Sequence, residues 1–184
     1  MLPVPERFTL VAGTGEGASI LNAFDHALMS AGVADLNLIR VSSILPPGCR
    51  RFEAVKLPPG ALLPAAYACV TSDVPGEVIS AAVAVGRPSR AAGVIMEFSG
   101  RTTLANAQAA VVAMVREALC SRYGSETDSE IEVAGVEHTT QRMGCAFAAV
   151  ALWYDPGDAG AGDAGAGGPG WRGGAAAAGG EKGR

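Results

Sequence analysis

Apolar and polar positions along the chain fall into short blocks with two different periods. RFTLVA (Arg7–Ala12) reads as a strand, and Gly13-Thr14-Gly15-Glu16-Gly17 behind it reads as a turn. Ser19 is placed to cap a helix running to about Ala31. In that helix Ile20, Phe24, Ala27, Leu28 and Ala31 recur at three- and four-residue steps as its buried stripe, and Gly32 ends it. Leu36–Ser42 reads as a strand, stopped by Pro46-Pro47-Gly48; a second Pro-Pro-Gly follows at 58–60. Residues 65–73, 77–86 and 93–98 read as three further strands. A second, Ala-rich helix is predicted over 103–122, with Leu104, Val111, Val115 and Leu119 inward. IEVAGVEH and GCAFAAVALWY read as the last two strands. Strands in consecutive runs favour an α+β arrangement of sheets covered by helices over a strictly alternating βαβ fold.

Composition narrows the class. At 184 residues with 49% apolar content the chain fits one domain with a real core. The last 30 residues, 155–184, hold 12 Gly and 8 Ala; they have little to bury and are expected to be a disordered tail, leaving a folded domain within 1–154. With 18 acidic residues against 14 basic ones, net charge −4, a general binder of nucleic-acid backbones is excluded. No uncharged apolar run approaches the ~18 residues of a spanning helix, so no membrane partner is expected. Glu6 and Arg7 interrupt the N-terminus where an export signal needs its apolar stretch, which points to the cytoplasm and to reduced thiols at Cys49, Cys69, Cys120 and Cys145. The cysteines form no CxxC pair and only His26 and His138 accompany them, so no metal site is expected. Lys56 and Lys182 are the only lysines, the second in the tail, so an internal Schiff base on lysine would have to use Lys56.

Two stretches carry candidate chemistry. Gly13-Thr14-Gly15-Glu16-Gly17-Ala18 satisfies the loose GxGxx(G/A) spacing of a dinucleotide loop. Glu16 would sit where the pyrophosphate must go, and Asp35 begins the second strand instead of ending it, so a turn needing glycine for its backbone angles is the better reading. The second stretch is Leu36-Asn37-Leu38-Ile39-Arg40-Val41-Ser42-Ser43-Ile44-Leu45-Pro46-Pro47-Gly48, an apolar strand entering a serine pair and a rigid turn. Hydroxyls satisfying nearby backbone would explain such a pair. In a regular strand, however, Asn37, Ile39, Val41 and Ser43 share a face, which puts an amide on the same side as the Ser43 hydroxyl.

The run from Asp35 to Gly48 resembles the self-cleavage site of pyruvoyl-dependent arginine decarboxylases. The resemblance continues through GTGEGASILNAFDHAL before the serines, and through LPPGALLPAAYACVTSDVPGEVISAAVAVG and GVIMEFSG after them; the Gly/Ala tail is not covered. It implies a layered αββα sandwich with mixed and antiparallel sheets. It also implies cleavage between Ser42 and Ser43 into a β chain (1–42) and an α chain from 43, both staying in one domain. The Ser43 hydroxyl would attack the preceding carbonyl to give an ester, and elimination and hydrolysis would leave a pyruvoyl group as the cofactor, with no pyridoxal phosphate and no metal. Arginine would be decarboxylated to agmatine through a Schiff base on that group. In that scheme Asn37 is the oxyanion donor of self-processing. Glu97, in GVIMEFSG, is the general acid, with burial expected to raise its pKa. Asp25 binds the guanidinium through two hydrogen bonds, and Leu28 packs on the substrate's methylenes. Ser72, Asp73 and Glu77 lie in matching motifs without an assigned role and are read as structural. The resemblance further implies homotrimers, sometimes paired into hexamers, with the site between subunits. Cys49-Arg50-Arg51 is more basic than that pattern. Alternatives are a pyruvoyl decarboxylase of another amino acid such as histidine, or an uncleaved binding or assembly protein with an idle serine pair.

Overall fold

The computed structural model describes residues 4–89, 91–124 and 128–154; the tail expected at 155–184 lies outside the described residues. The elements are β1 (Arg7–Glu16), α1 (Ile20–Ser30), β2 (Asn37–Arg40), β3 (Ile44–Leu45), β4 (Arg50–Arg51), β5 (Leu62–Ser72), β6 (Val78–Pro88), β7 (Gly93–Gly100), α2 (Leu104–Tyr123), β8 (Ser129–Thr139) and β9 (Gly144–Trp153). The long strands form as expected. The two-residue strands β3 and β4 carry no period of their own and were invisible in the pattern.

Two sheets result, a mixed one in the order β2-β5-β9-β1-β4 and an antiparallel one in the order β3-β7-β6-β8. Alternation along the strands sorts the core into three layers. Ala146, Ala148 and Val150 of β9 face Ala81, Val83 and Val85 of β6 between the sheets. Phe147, Ala149 and Ala151 turn outward against Ala23, Ala27 and Leu28 of α1. Ala82 and Ala84 turn outward against Ala107, Val111, Val115 and Leu119 of α2. The order is therefore helix, sheet, sheet, helix. Every residue of β9 is buried, which its unbroken apolar run requires of a strand covered on both faces.

The glycine-rich stretch corrects the sequence reading. Gly13 and Gly15 are not in a turn: β1 runs straight through them to Glu16, paired with β9 from Arg7↔Trp153 to Glu16↔Gly144. Among the described residues the left-handed glycines are elsewhere, at Gly32, Gly48, Gly60, Gly76 and Gly124. What Gly13, Gly15 and Gly17 supply is closeness. A Cβ on Gly13 would lie 2.3 Å from the Ala27 carbonyl oxygen, on Gly15 2.5 Å from that of Ala23, and on Gly17 2.4 Å from the Ala23 nitrogen. Two strand residues advance about 6.6 Å and one helical turn about 5.4 Å, so a glycine at every second strand position matches an alanine at every fourth helix position. This seating also rotates the helix. Ala23 is buried, whereas Ile20, expected inward, is 58% exposed. A dinucleotide has no room here.

Candidate active site

The serine pair lies where the chain changes sheets. β2 is held on β5 through Asn37↔Leu62 to Arg40↔Ala65, and the Val41 amide still donates to the Ala65 carbonyl at 3.2 Å. Three residues later Ile44 is paired with Val94 of β7, in the other sheet. Ser42 and Ser43 make the crossing. Leu45, 2% exposed, anchors the far side in the core between the sheets, and Gly48 at φ +74° with the Cys49 amide on the Pro46 carbonyl (3.2 Å) closes the Pro-Pro-Gly turn.

Three hydrogen bonds fix Ser43. Its carbonyl accepts from the Ile95 amide at 2.9 Å, the Ser42 carbonyl accepts from the Ile44 amide at 2.9 Å, and its Oγ donates to Oε2 of Glu97 at 3.1 Å. Glu97 reaches it because β7 alternates: Val94 and Met96 face α2, while Ile95 and hence Glu97 turn toward the inter-sheet side. Glu97 is half-buried, not enclosed as its apolar strand implied. Beside Ser42 an apolar hollow of about 220 Å³ is lined by Val41, Ile44, Pro46, Pro64, Leu152 and Tyr154, among others. A larger hollow of about 460 Å³, bordered by Arg50, Arg51 and Arg87, meets this segment beyond the serines, at Leu45, Pro46, Gly48 and Cys49. The basic Cys49-Arg50-Arg51 thus faces that second hollow, where Arg51 and Arg87 are each paired with Glu132 at 3.0 and 2.9 Å. Burial pushes the Cys49 thiol up to about 11, against the pull of Arg87.

The other expected site residues stand apart from Ser43 in the single chain. Asn37 is at the opposite end of β2, with four residues of extended chain, about 13 Å, to Val41. Its amide donates to the Gly60 carbonyl at 2.8 Å, so the shared face expected for a regular strand does not bring it to the Ser42 carbonyl. The strand ends at Arg40 and the alternation ends with it. Asp25 is exposed on α1, on the outer face of the five-stranded sheet, and among the described residues no hydrogen bond or ion pair joins it to Ser43 or Glu97. Leu28 is 8% exposed, with most of its side chain packed in the layer under α1 and only an edge left at the surface. Ser43 and Glu97, 54 positions apart, are the expected pair that the fold does bring together.

A second polar cluster was missed. Glu16 accepts from His138 Nε2 at 2.7 Å and from the amides of Gln141 (2.8 Å), Arg142 and Met143 (3.1 Å each), closing the β8–β9 turn. Desolvation pulls this carboxyl upward, but the hydrogen bonds outweigh it and hold its pKa down at about 2. The signal available was Glu16 itself, a charge in an otherwise small and apolar stretch. Nearby, Ser72 donates to Glu77, which also pairs with Arg101 at 2.8 Å. Among the described residues no group of His, Cys, Asp and Glu could hold a metal ion, and no helix is long and apolar enough to cross a membrane.

Residues 7–156 match the family model described as pyruvoyl-dependent arginine decarboxylase. The chain is 48% identical over 153 residues to the pyruvoyl-dependent arginine decarboxylase of Methanocaldococcus jannaschii, covering 82% of this chain and 92% of that one. It is 40% identical over 152 residues to the protein of the same name from Thermococcus kodakarensis, covering 82% and 96%. For that of Thermococcus sibiricus the identity is 34% over 153 residues, covering 82% and 97%.

Proposed function

The chain belongs to the pyruvoyl-dependent arginine decarboxylase family, and on that premise we propose that it cuts itself between Ser42 and Ser43 and converts L-arginine to agmatine and carbon dioxide. The observation that carries this reading is the Ser43 hydroxyl held on the Glu97 carboxylate at 3.1 Å. A hydroxyl is a weak nucleophile until a base takes its proton, and Glu97 is within reach to do so. Attack on the Ser42 carbonyl gives an ester, and loss of the Ser43 Cα proton expels the Ser42 carboxylate. The resulting dehydroalanine takes up water and releases ammonia to leave the keto end. The residues fit such a group: its precursor side chain already faces a carboxylate, and its carbonyl is fixed by Ile95. Once formed, a pyruvoyl group supplies the electron sink that decarboxylation requires, so neither pyridoxal phosphate nor a lysine is needed. Glu97 then holds the proton that returns to the substrate carbon.

The two pieces stay in one domain, 1–154, because β1 of the short chain is laddered to β9 over its full length, and Leu45 holds the new end of the long chain in the core. Recognition of arginine falls to Asp25, whose carboxylate can take the guanidinium through two parallel hydrogen bonds. Within one chain Asp25 and Ser43 lie on different faces, so we assign the complete site to the junction of two copies in a homotrimer, singly or paired as a hexamer. Each face carries exposed apolar side chains: Ile20, Leu21 and Met29 on α1, Ile39, Ile44 and Leu62 at the sheet edge. Asn37 and Leu28 serve the site only across such a junction, Asn37 by giving up Gly60 for the oxyanion and Leu28 by adding its flank to the substrate's methylenes. Four free cysteines, with Cys69 and Cys145 joined by a thiol hydrogen bond at 3.5 Å and not by a disulfide, fit a reducing cytoplasm.

The test is complementation. Ser43→Ala and Asp25→Ala chains are each expected to lack arginine decarboxylation, and the two co-expressed are expected to regain it at about a quarter of the sites of a head-to-tail ring. Full agmatine production by Asp25→Ala alone would overturn the assignment of arginine recognition to it, and a dead mixture would overturn the shared site.

A further inference from the structure

Attack on the Ser42 carbonyl places a negative charge on its oxygen, and a donor must already be aimed at that position for the step to run at a useful rate. Asn37 of the same chain is committed to Gly60 at the other end of β2. A donor is nonetheless present beside the bond to be cut. The Ile44 amide donates to the Ser42 carbonyl oxygen at 2.9 Å, closing a three-residue turn with Ser43 at its apex. The turn is held from both sides. Ahead of it Val41 is still bonded to Ala65, and behind it Ile44 is registered on Val94 while the Ser43 carbonyl is pinned by the Ile95 amide at 2.9 Å.

We infer that the main-chain N–H of Ile44 is an oxyanion donor of the self-processing step, an inference that rests on the cleavage reading above. In that step the Ser43 Oγ bonds to the Ser42 carbonyl carbon, the Oγ proton passes to Glu97, and the carbonyl electron pair moves onto the oxygen that faces the Ile44 N–H. When the pair returns, the bond to the Ser43 nitrogen breaks and that nitrogen takes the proton back from Glu97, leaving Ser42 as an ester on Ser43. The ring that closes contains only atoms of Ser42 and Ser43, so the oxygen need not leave its donor. Because the donor is backbone, the Ile44 side chain is free to vary. The Ile95 amide has a different duty: it orients the carbonyl after Ser43, which carries no charge in this step.

The obvious variant, Ile44→Pro, removes the N–H but also imposes a ring on the turn. A precursor translated in vitro with the α-hydroxy acid analogue of isoleucine at position 44 removes the N–H alone. Cleavage at 42–43, followed by gel and intact mass, is expected to slow about 10²- to 10³-fold in this ester chain. The equivalent ester at position 95 should slow it far less than the ester at 44. Rapid cleavage of the 44 ester, or equal slowing by both esters, would overturn the inference while leaving wild-type self-cleavage intact; failure of the wild-type chain to cut would overturn the parent reading instead. A second measurement needs no ester. In the uncut Ser43→Ala chain the Ile44 amide is expected to be protected from hydrogen exchange, and exchange at the free-peptide rate would contradict the inference.

Discussion

Among the described residues two serine hydroxyls donate to glutamate carboxylates, and one of the two pairs is built for chemistry. Ser72 is buried at the end of β5 and bonds to Glu77 across the β5–β6 connection; its oxygen also accepts from the Val74 amide at 3.1 Å. Glu77 is held by Arg101 as well, and the Ser72 bond, ahead of Arg101, keeps its carboxyl below the ordinary range. A carboxylate so stabilised is a poor proton acceptor, and the hydroxyl is locked into a turn. At Ser43 neither condition holds. Among the described residues no arginine or lysine pairs with Glu97, and the hydroxyl's other neighbour is a carbonyl already turned onto an amide donor. What separates a structural Ser–Glu pair from a reactive one is the third group: a cation that quenches the base, or an electrophile set within reach of the hydroxyl.

The comparison breaks most sharply at the serines. Ser43→Ala is expected to leave a folded, uncut chain with no arginine decarboxylation, whereas Ser72→Ala should cut and turn over normally and lose about 1 kcal/mol of stability, the scale of one net hydrogen bond. Cleavage by denaturing gel and unfolding midpoints check both halves. Next come the carboxylates. Glu97→Gln should slow self-cleavage, because an amide cannot take the Ser43 proton, and should lower turnover of the chains that do cut by about 10²- to 10⁴-fold, because it cannot deliver the returning proton; Glu77→Gln should leave cleavage and turnover of the folded enzyme unchanged and lower its melting temperature. Equal losses of turnover in the two variants would erase the distinction.

The smallest effect concerns the clamp at Glu16, a carboxylate held by hydrogen bonds as Glu77 is. Its folded pKa of about 2 lies below the ordinary 4.5, so its stabilisation is fully present above pH 4.5 and is lost as the pH falls toward 2. Glu16→Gln is therefore expected to be less stable than wild type by about 2 kcal/mol at pH 7, the scale of a hydrogen bond to a charged group, with the gap closing between pH 4.5 and 2. Denaturant titrations at several pH values check this, and a gap that stays constant with pH would refute the clamp.

How much of this was legible in the sequence differs by residue. Long strands and both helices could be read because period two and period three-to-four are local properties. The glycines at 13, 15 and 17 misled because their use is tertiary: the helix that needs them small lies across the sheet, and a glycine wanted for closeness looks the same in sequence as one wanted for a turn. The same contact turned Ile20 outward and Ala23 inward. Ser43 and Glu97 were found through family motifs, and no spacing rule joins residues 54 positions apart. Asn37 was assigned its role through the family motif; strand alternation put it only on the face of Ser43, and that alternation stops at Arg40, where the chain leaves the sheet. Leu28 sits in the helix's apolar stripe, and most of its side chain is packed under α1, as that stripe implies; its place beside a substrate came from the family motif alone. The backbone donors of Ile44 and Ile95 had no signature, since main-chain amides are common to almost every residue type.

The central claim is that the backbone between Ser42 and Ser43 is exchanged for a keto group. Reducing the purified protein with borodeuteride and weighing both chains tests it most directly. The account predicts a separate 1–42 chain and a longer chain whose first residue, in place of Ser43, gains deuterium at a former ketone. An intact 184-residue chain, or a cut chain that begins with an unmodified serine and takes up no deuterium, would contradict it.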